Sequence, residues 1–518
     1  MVMPPRPLKR QTDGIPKPKR LSEVPGYLFK CVSGFFGRLF YIVSLVWEAA
    51  PLLLVAMTLL CILDGVVPVV GAYISKDLLN GIAALIYQGA ESGGNVYEDL
   101  FVTMSPLISL FVAYFVYLFL KKVLARINGM VTGIAGELVV NHIKLKIMGK
   151  AKELDIAAYD RPEFYEKLEN ANREAGMRPI HILSATFSVV SALISAVSFM
   201  AVLIGLSPVA PLIIIIVAIP GALVNYFYRN RSFRYIRTHS KERRQMNYYS
   251  SLVVDKDRVK EIKLHSLSDT FTKKYKSAFK KYFAGLKRLF VGEGITQIAV
   301  GLISTLLNGA LLIYVAYNVV FLGGEIGDYS LYSGALSSIS LYVTTLLTST
   351  ATIYEGTLFI NNMLDFMKEK PTVVPSVSEP LIPSRGEHTI EFKNVSFKYP
   401  GTDRLVLRNV NLVMNPKDSV VLVGLNGAGK TTLIKLITRL YDPTEGVILL
   451  DGRDIREYDV GALYSLFGII FQDFGRYAET AAENIEFGDV AAPSERRRVE
   501  LAAERADADK FIRELPCG

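Results

Sequence analysis

Six stretches of this chain are apolar over about 20 residues or more, the length a helix needs to cross a bilayer. They lie at approximately 50–75, 103–121, 181–206, 208–227, 296–322 and 331–353. Runs such as Pro211-Leu212-Ile213-Ile214-Ile215-Ile216-Val217 argue against a large soluble helical protein, and the mean hydropathy of +0.30 agrees. Most of the chain therefore reads as a membrane all-α unit of six spans. Polar continuations, Lys121 to Lys150 and Tyr228 to His265, read as helices that run on into water. The turn at Pro208 joins the third and fourth spans.

Positive charge sets the expected orientation. Arg6, Lys9, Arg10, Lys17, Lys19, Arg20 and Lys30 precede the first span. Arg229, Arg231, Arg234, Arg237, Arg243 and Arg244 follow the fourth. The connections 81–104, 205–210 and 323–330 hold no Lys or Arg at all. Both termini are expected in the cytoplasm, in a multi-pass protein of the cytoplasmic membrane. The net charge of +9 is then a topology signal. Nucleic acid is excluded as a partner, because the basic residues alternate with spans and form no single patch. Val32 to Glu48 is amphipathic and reads as an interfacial helix, not a cleavable leader. Cys31, Cys61 and Cys517 are too dispersed for a metal site or a disulfide framework. Asp64 is the ionisable residue of interest within a span; such a group faces the bundle interior, where it lines a substrate path or pairs with a neighbouring helix.

The pattern changes after Met367. Residues 368–388 carry Pro371, Pro375, Pro380 and Pro383 and read as a linker. Thr389 to Phe397, Val406 to Met414 and Gly446 to Leu450 read as short strands. Between them, Asp418 to Val423 reads as a buried strand that enters Gly424-Leu425-Asn426-Gly427-Ala428-Gly429-Lys430-Thr431. This is G-x-x-x-x-G-K-T followed by an apolar helix from Thr432, the strand–loop–helix context of a phosphate-binding loop. Its backbone N–H groups, at Asn426, Gly427, Ala428 and Gly429 among others, can curl around a phosphate at the positive end of the new helix. Lys430 is placed for the β- and γ-phosphates and Thr431 for Mg²⁺, so the expected ligands are ATP and Mg²⁺.

Six spans, a linker and then a phosphate-loop domain resemble an exporter-type ATP-binding cassette transporter in its half-transporter form. The resemblance is specific in the last third. Val395-Ser396-Phe397-Lys398-Tyr399-Pro400 is similar to the family's aromatic loop, which implies that Tyr399 stacks on adenine. Phe467 to Phe471 reads as a further strand, and Phe471-Gln472-Asp473 after it is similar to the Q-loop, which implies that Gln472 touches Mg²⁺ and senses the membrane domain. The implied organisation is a cytoplasmic segment with an interfacial helix (1–48), six spans with long cytoplasmic extensions (49–367), a linker (368–388) and the first part of an α/β nucleotide-binding domain (389–518). The implied partners are a second half-transporter, identical or related, the lipid bilayer and an unidentified transported compound. Coupling helices are expected at Tyr159 to Tyr165, with Asp160 capping and Pro162 in the first turn, and at Asp255 to His265.

One departure matters. The family's signature string LSGGQ, its acidic Walker B strand and its switch histidine follow the Q-loop, and none of them is found up to Gly518. His388 precedes the phosphate loop, so it is not the switch. The expectation is an ATPase coupled to export by family resemblance, whose residues as given lack the parts that position water and complete the Mg²⁺ site. If the natural chain ends at Gly518, the alternative is a non-catalytic ATP-binding membrane regulator or partner subunit. An importer is the other rival; fusion of spans ahead of the nucleotide domain on one chain speaks against it.

Overall fold

The computed structural model describes residues 37, 40–91, 100–176, 178–256, 258–472, 474, 475 and 477–515. The basic N-terminal residues, Cys31, Asp473 and Cys517 lie outside them. The chain divides into two compact units, one of Met1–Gly149 with Lys167–Met367 and one of Lys150–Glu166 with Lys368–Gly518.

The first unit is helical. A short helix, α1 (Phe40–Ala49), falls on the expected interfacial segment. The long helices follow: α2 (Pro51–Glu91), α3 (Leu100–Glu153), α6 (Arg178–Ile204), α7 (Ala210–Thr238), α10 (Ser268–Phe321) and α11 (Ile326–Met367). Shorter ones, α4 (Ile156–Tyr159), α5 (Pro162–Ala175), α8 (Ser240–Val254) and α9 (Val259–Leu264), lie between them. Each of the six expected spans falls on one long helix. Among the described residues, Pro51–Tyr87, Ser105–Glu153, Arg178–Ile204 and Ser268–Phe321 are long and apolar enough to cross a membrane. At 1.5 Å per residue α3 extends about 80 Å, well beyond a hydrocarbon core of about 30 Å. Helix α6 packs along α2 and α11, and α10 along α7 and α8. The packed centre holds Phe199, Leu203, Val315, Ala335 and Ile339. Phe115, Phe119, Ile298 and Ile313 on α3 and α10 point outward and exposed. Lipid is the solvent such faces suit.

In the second unit, β1 (Ile390–Phe397) is central to an antiparallel sheet ordered β2-β1-β3-β4, where β2 is Leu407–Met414, β3 Glu445–Leu450 and β4 Arg453–Asp454. Strand β1, irregular between Phe392 and Val395, buries Phe392, Val395 and Phe397 against Ile448, Leu450 and Leu436 of α12 (Lys430–Ile437). Further helices are α13 (Val460–Tyr464), α14 (Ala481–Glu486), α15 (Arg496–Arg505) and α16 (Asp509–Arg513). Gly446 has φ +80°, and a Cβ there would meet the Asn394 carbonyl oxygen at 2.3 Å, so glycine lets β3 start against β1.

Two expectations fail here. The runs 418–423 and 467–471 are not strands. No described strand lies beside either of them, and Val420, Val421, Val423 and Ile470 are exposed. A fully apolar run becomes a buried strand only with neighbours on both sides. The hairpin β3–β4 carries an acid-sensitive pair of carboxylates. Burial opposes ionisation of Asp451, but His388 Nδ1 at 2.7 Å and the Thr389 N–H at 2.8 Å outweigh it and hold the group below its usual range. Burial is likewise outweighed at Asp454 by Arg456. A depressed folded-state pKa contributes stability that is present above the unfolded value, about 3.9, and lost as pH falls through the lower folded value. Asp454→Asn is therefore expected to flatten the loss of urea resistance of the second unit as pH falls below about 4. An unchanged acid limb would remove Arg456 as its cause.

Candidate functional site

The phosphate loop folds because two of its glycines take backbone that other residues avoid. Gly427 has φ +82° and Gly429 φ +92°. A Cβ on Gly429 would also sit 2.8 Å from Leu407 Cδ2, so the loop packs directly on the start of β2. Helix α12 begins at Lys430, and its first N–H groups have no intrahelical acceptor. Among the described residues no protein acceptor takes the N–H groups of Asn426, Gly427 or Gly429 either. Ala428 differs: its N–H donates to Leu425 O at 3.1 Å, which closes the turn. A concave set of free donors at a helix N-terminus fits a phosphate group. Lys430 Nζ lies across this mouth, donating to Gly424 O at 2.7 Å and Leu425 O at 3.0 Å. Thr431 is exposed beside it.

The next residue joins the loop to the aromatic candidate. Thr432 is buried, and its Oγ1 lies 3.0 Å from the Tyr399 hydroxyl. Tyr399 stands edge-on to Phe397 and Tyr441, with ring centroids 5.0 and 5.4 Å away, and Lys435 Nζ is 5.5 Å from its centroid. The ring stays half-buried and borders a cavity of about 570 Å³, lined also by Thr402, Tyr441, Asp442 and Thr444. That volume suits a nucleobase-sized ligand. Gln472 is exposed and makes no hydrogen bond to the loop among the described residues. The structure thus brings Tyr399, Thr432 and residues 424–431 together.

The segment 150–166 belongs to this same unit. Asp155 caps α4, accepting from the Ala158 N–H at 3.0 Å. Its second oxygen accepts from the Thr372 N–H and hydroxyl and from the Val373 N–H. Asp160 does not cap α5 as expected; its carboxylate accepts from the Tyr441 hydroxyl, while Pro162 does open α5. Burial and Asp160 together push the Tyr441 phenol well above its ordinary pKa, so it stays a donor. Arg161 pairs with Glu369 at 3.2 Å. The loop between α3 and α5 is tied to the nucleotide side by Asp155, Asp160 and Arg161. The sequence carried a signal only for Asp160. Tyr441→Phe removes one donor to a carboxylate and is expected to cost about 1–2 kcal/mol locally. Faster hydrogen exchange at Ala158 and Tyr159 is the readout; unchanged exchange would make the bond incidental. At the second expected coupling helix, α9 forms over 259–264 with Ile262 buried. Asp257 lies outside the described residues.

Residues 407–517 match the family model for ABC transporter. The phosphate loop described above lies within them. Over those residues the chain is similar to ABC transporters. It is 28% identical over 438 residues to the subtilin transport ATP-binding protein SpaT of Bacillus subtilis, covering 83% of this chain and 67% of that protein. It is 24% identical to the nisin transport ATP-binding protein NisT of Lactococcus lactis subsp. lactis, covering 78% and 68%. The ATP-dependent lipid A-core flippase of Escherichia coli K12 is 41% identical over 134 residues, covering 26% of this chain and 23% of that protein. A bacterial Atm1-family ABC exporter with ATP bound has the same fold, with TM-score 0.73 and 20% identity over 90% of this chain and 79% of that one. The chain thus spans about two thirds of the first two relatives. It is a membrane protein with a nucleotide-binding domain fused to a helical transmembrane domain.

Proposed function

We propose that this chain is one half of a dimeric, ATP-driven exporter of the cytoplasmic membrane with both termini inside. The observation that carries the reading is the joining of bilayer-length helices to a phosphate loop whose N–H groups at Asn426, Gly427 and Gly429 have no protein acceptor among the described residues. Tyr399 would present its half-buried ring to adenine, beside the cavity it borders. The N–H groups of 426–430 would receive the phosphates, with Gly424 shaping the entry and Thr432 holding Tyr399 in place. Lys430 would leave the carbonyls it now holds for the β- and γ-phosphates.

Thr431 offers a hard hydroxyl oxygen at the mouth of the loop, and Gln472 a second oxygen from an exposed segment. One or two protein oxygens plus phosphates suit Mg²⁺, which would neutralise phosphate charge there. ATP bound this way does mechanical work only through its different affinity for two conformations. The ties of Asp155, Asp160 and Arg161 are where the nucleotide side can act on α3 and α5. The named relatives of Bacillus and Lactococcus are transport proteins for subtilin and nisin, and the structural match is an exporter. The exporter match supports the outward direction.

Direction is the test. Inside-out vesicles carrying this chain with its partner half should accumulate a fluorescent amphiphile when given ATP, and right-side-out vesicles loaded with ATP should extrude it. ATP-driven uptake into right-side-out vesicles would reverse the reading.

A further inference from the structure

We infer that the polar cavity within the first unit binds the cationic group of the transported compound, with Asp64 as its counter-charge; this rests on the export reading. The cavity, of about 600 Å³, lies among α2, α3, α6 and α11. That volume is within the range of pockets that hold drug-sized ligands. Its lining is mixed: Asp64, Asn128, Thr132 and His181 supply polar groups, Phe187 and Tyr342 aromatic rings.

Asp64 sits roughly 20 Å along α2 at 1.5 Å per residue, inside an apolar span. An ionisable side chain at that depth is costly and faces an interior or an aqueous cavity. Here it is half-buried and borders the cavity. Its orientation is fixed from two sides. Asn128 Nδ2 donates to Asp64 Oδ2 at 3.3 Å, and Thr132 Oγ1 donates to Asn128 Oδ1 at 3.3 Å. On the next residue, Ser195 Oγ donates to Gly65 O at 2.8 Å, and a Cβ on Gly65 would fall 2.6 Å from Ile194 Cγ2. Close approach of α2 to α6 at Gly65 therefore sets the rotation that turns Asp64 to the cavity.

Charge is the informative part. Among the described residues no Lys or Arg pairs with Asp64, and Asn128 is its one hydrogen-bond donor. No Lys or Arg lines the cavity. A carboxylate without a cation in a cleft with low-dielectric walls focuses negative potential into that cleft. Aromatic rings at the same wall favour a cation further. The ligand class that completes this arrangement is an amphiphile with a cationic head.

The experiment is equilibrium dialysis of radiolabelled tetraphenylphosphonium against the full chain in lipid nanodiscs. Triphenylphosphine oxide serves as the neutral probe and tetraphenylborate as the anionic one. The cation should bind saturably and better than either. Asp64→Asn keeps an oxygen acceptor for Asn128 but removes the charge, and should weaken cation binding about tenfold or more. Asp64→Glu should stay within about threefold of the parent. Equal binding of cation and neutral probe, undiminished binding by Asp64→Asn, or equal loss in Asp64→Asn and Asp64→Glu would each overturn the inference. A fluorescent ATP analogue titrated into the same parent sample keeps the two readings apart. No nucleotide binding counts against export, whereas nucleotide binding with a charge-blind cavity counts against this inference alone.

Discussion

Lys430→Ala is expected to lower the affinity of this chain for ATP by about a hundredfold to ten-thousandfold. The ammonium group is half-buried at the mouth of the phosphate loop and holds two carbonyl oxygens, Gly424 O at 2.7 Å and Leu425 O at 3.0 Å. Those carbonyls lie on the loop itself, so a small rotation of the side chain carries the charge onto a phosphate. Hydrogen bonds to charged partners contribute about 1.5–3 kcal/mol each, and two of them convert at about 1.4 kcal/mol per factor of ten. Arginine should not restore the affinity, because a planar fork does not replace a compact point charge in a tight loop. Equilibrium binding of labelled ATP to the parent and the variant measures this. The variant should keep the thermal unfolding profile of the parent, since Lys430 takes no part in the apolar core. ATP binding within threefold of the parent would remove Lys430 from the site.

The loop was legible in the sequence because its requirements are local. Gly427 and Gly429 take positive φ, and Lys430 opens a helix, each dictated by residues within one turn of chain. Strands β1, β2 and β3 were legible as short apolar stretches bounded by turn residues, although burial in β1 does not alternate. The runs 418–423 and 467–471 were misread because an apolar stretch does not encode which strand will lie beside it. Asp160 was misread as a cap because the competing acceptor role, toward Tyr441, comes from 281 residues away. Asp155, which caps α4 instead, had no distinguishing spacing. Within the membrane unit Asp64 stood out by its charge, whereas Asn128, Thr132 and His181 are ordinary polar residues until the helices bring them to one cavity.

Arg439 went unremarked in the sequence and is expected to be among the most costly positions to change. Its side chain is fully buried. Nε donates to Asp442 Oδ1 at 3.2 Å, one terminal nitrogen to Tyr458 O at 2.9 Å and the other to Val374 O at 2.8 Å. One guanidinium thereby fastens the segment after Met367, the end of α12 and the chain before α13. Its backbone is in the left-handed region at φ 53°, closing α12 with Leu440 N–H on Lys435 O and Arg439 N–H on Leu436 O, the place glycine usually takes. Keeping arginine there costs about 1 kcal/mol of backbone strain, which the buried side chain must offset. Arg439→Ala removes the side chain but keeps the strain, and takes the donor from a half-buried Asp442 and from two carbonyls. Losing three such hydrogen bonds at about 1 kcal/mol each costs about 3 kcal/mol. Arg439→Gly loses the same contacts but relaxes the backbone, so it should be less damaging than alanine by about 1 kcal/mol. Urea unfolding followed by hydrogen exchange on α12 and β3 would rank the two. Alanine at or above glycine in stability would mean that the helix cap, and not the buried guanidinium, is misassigned.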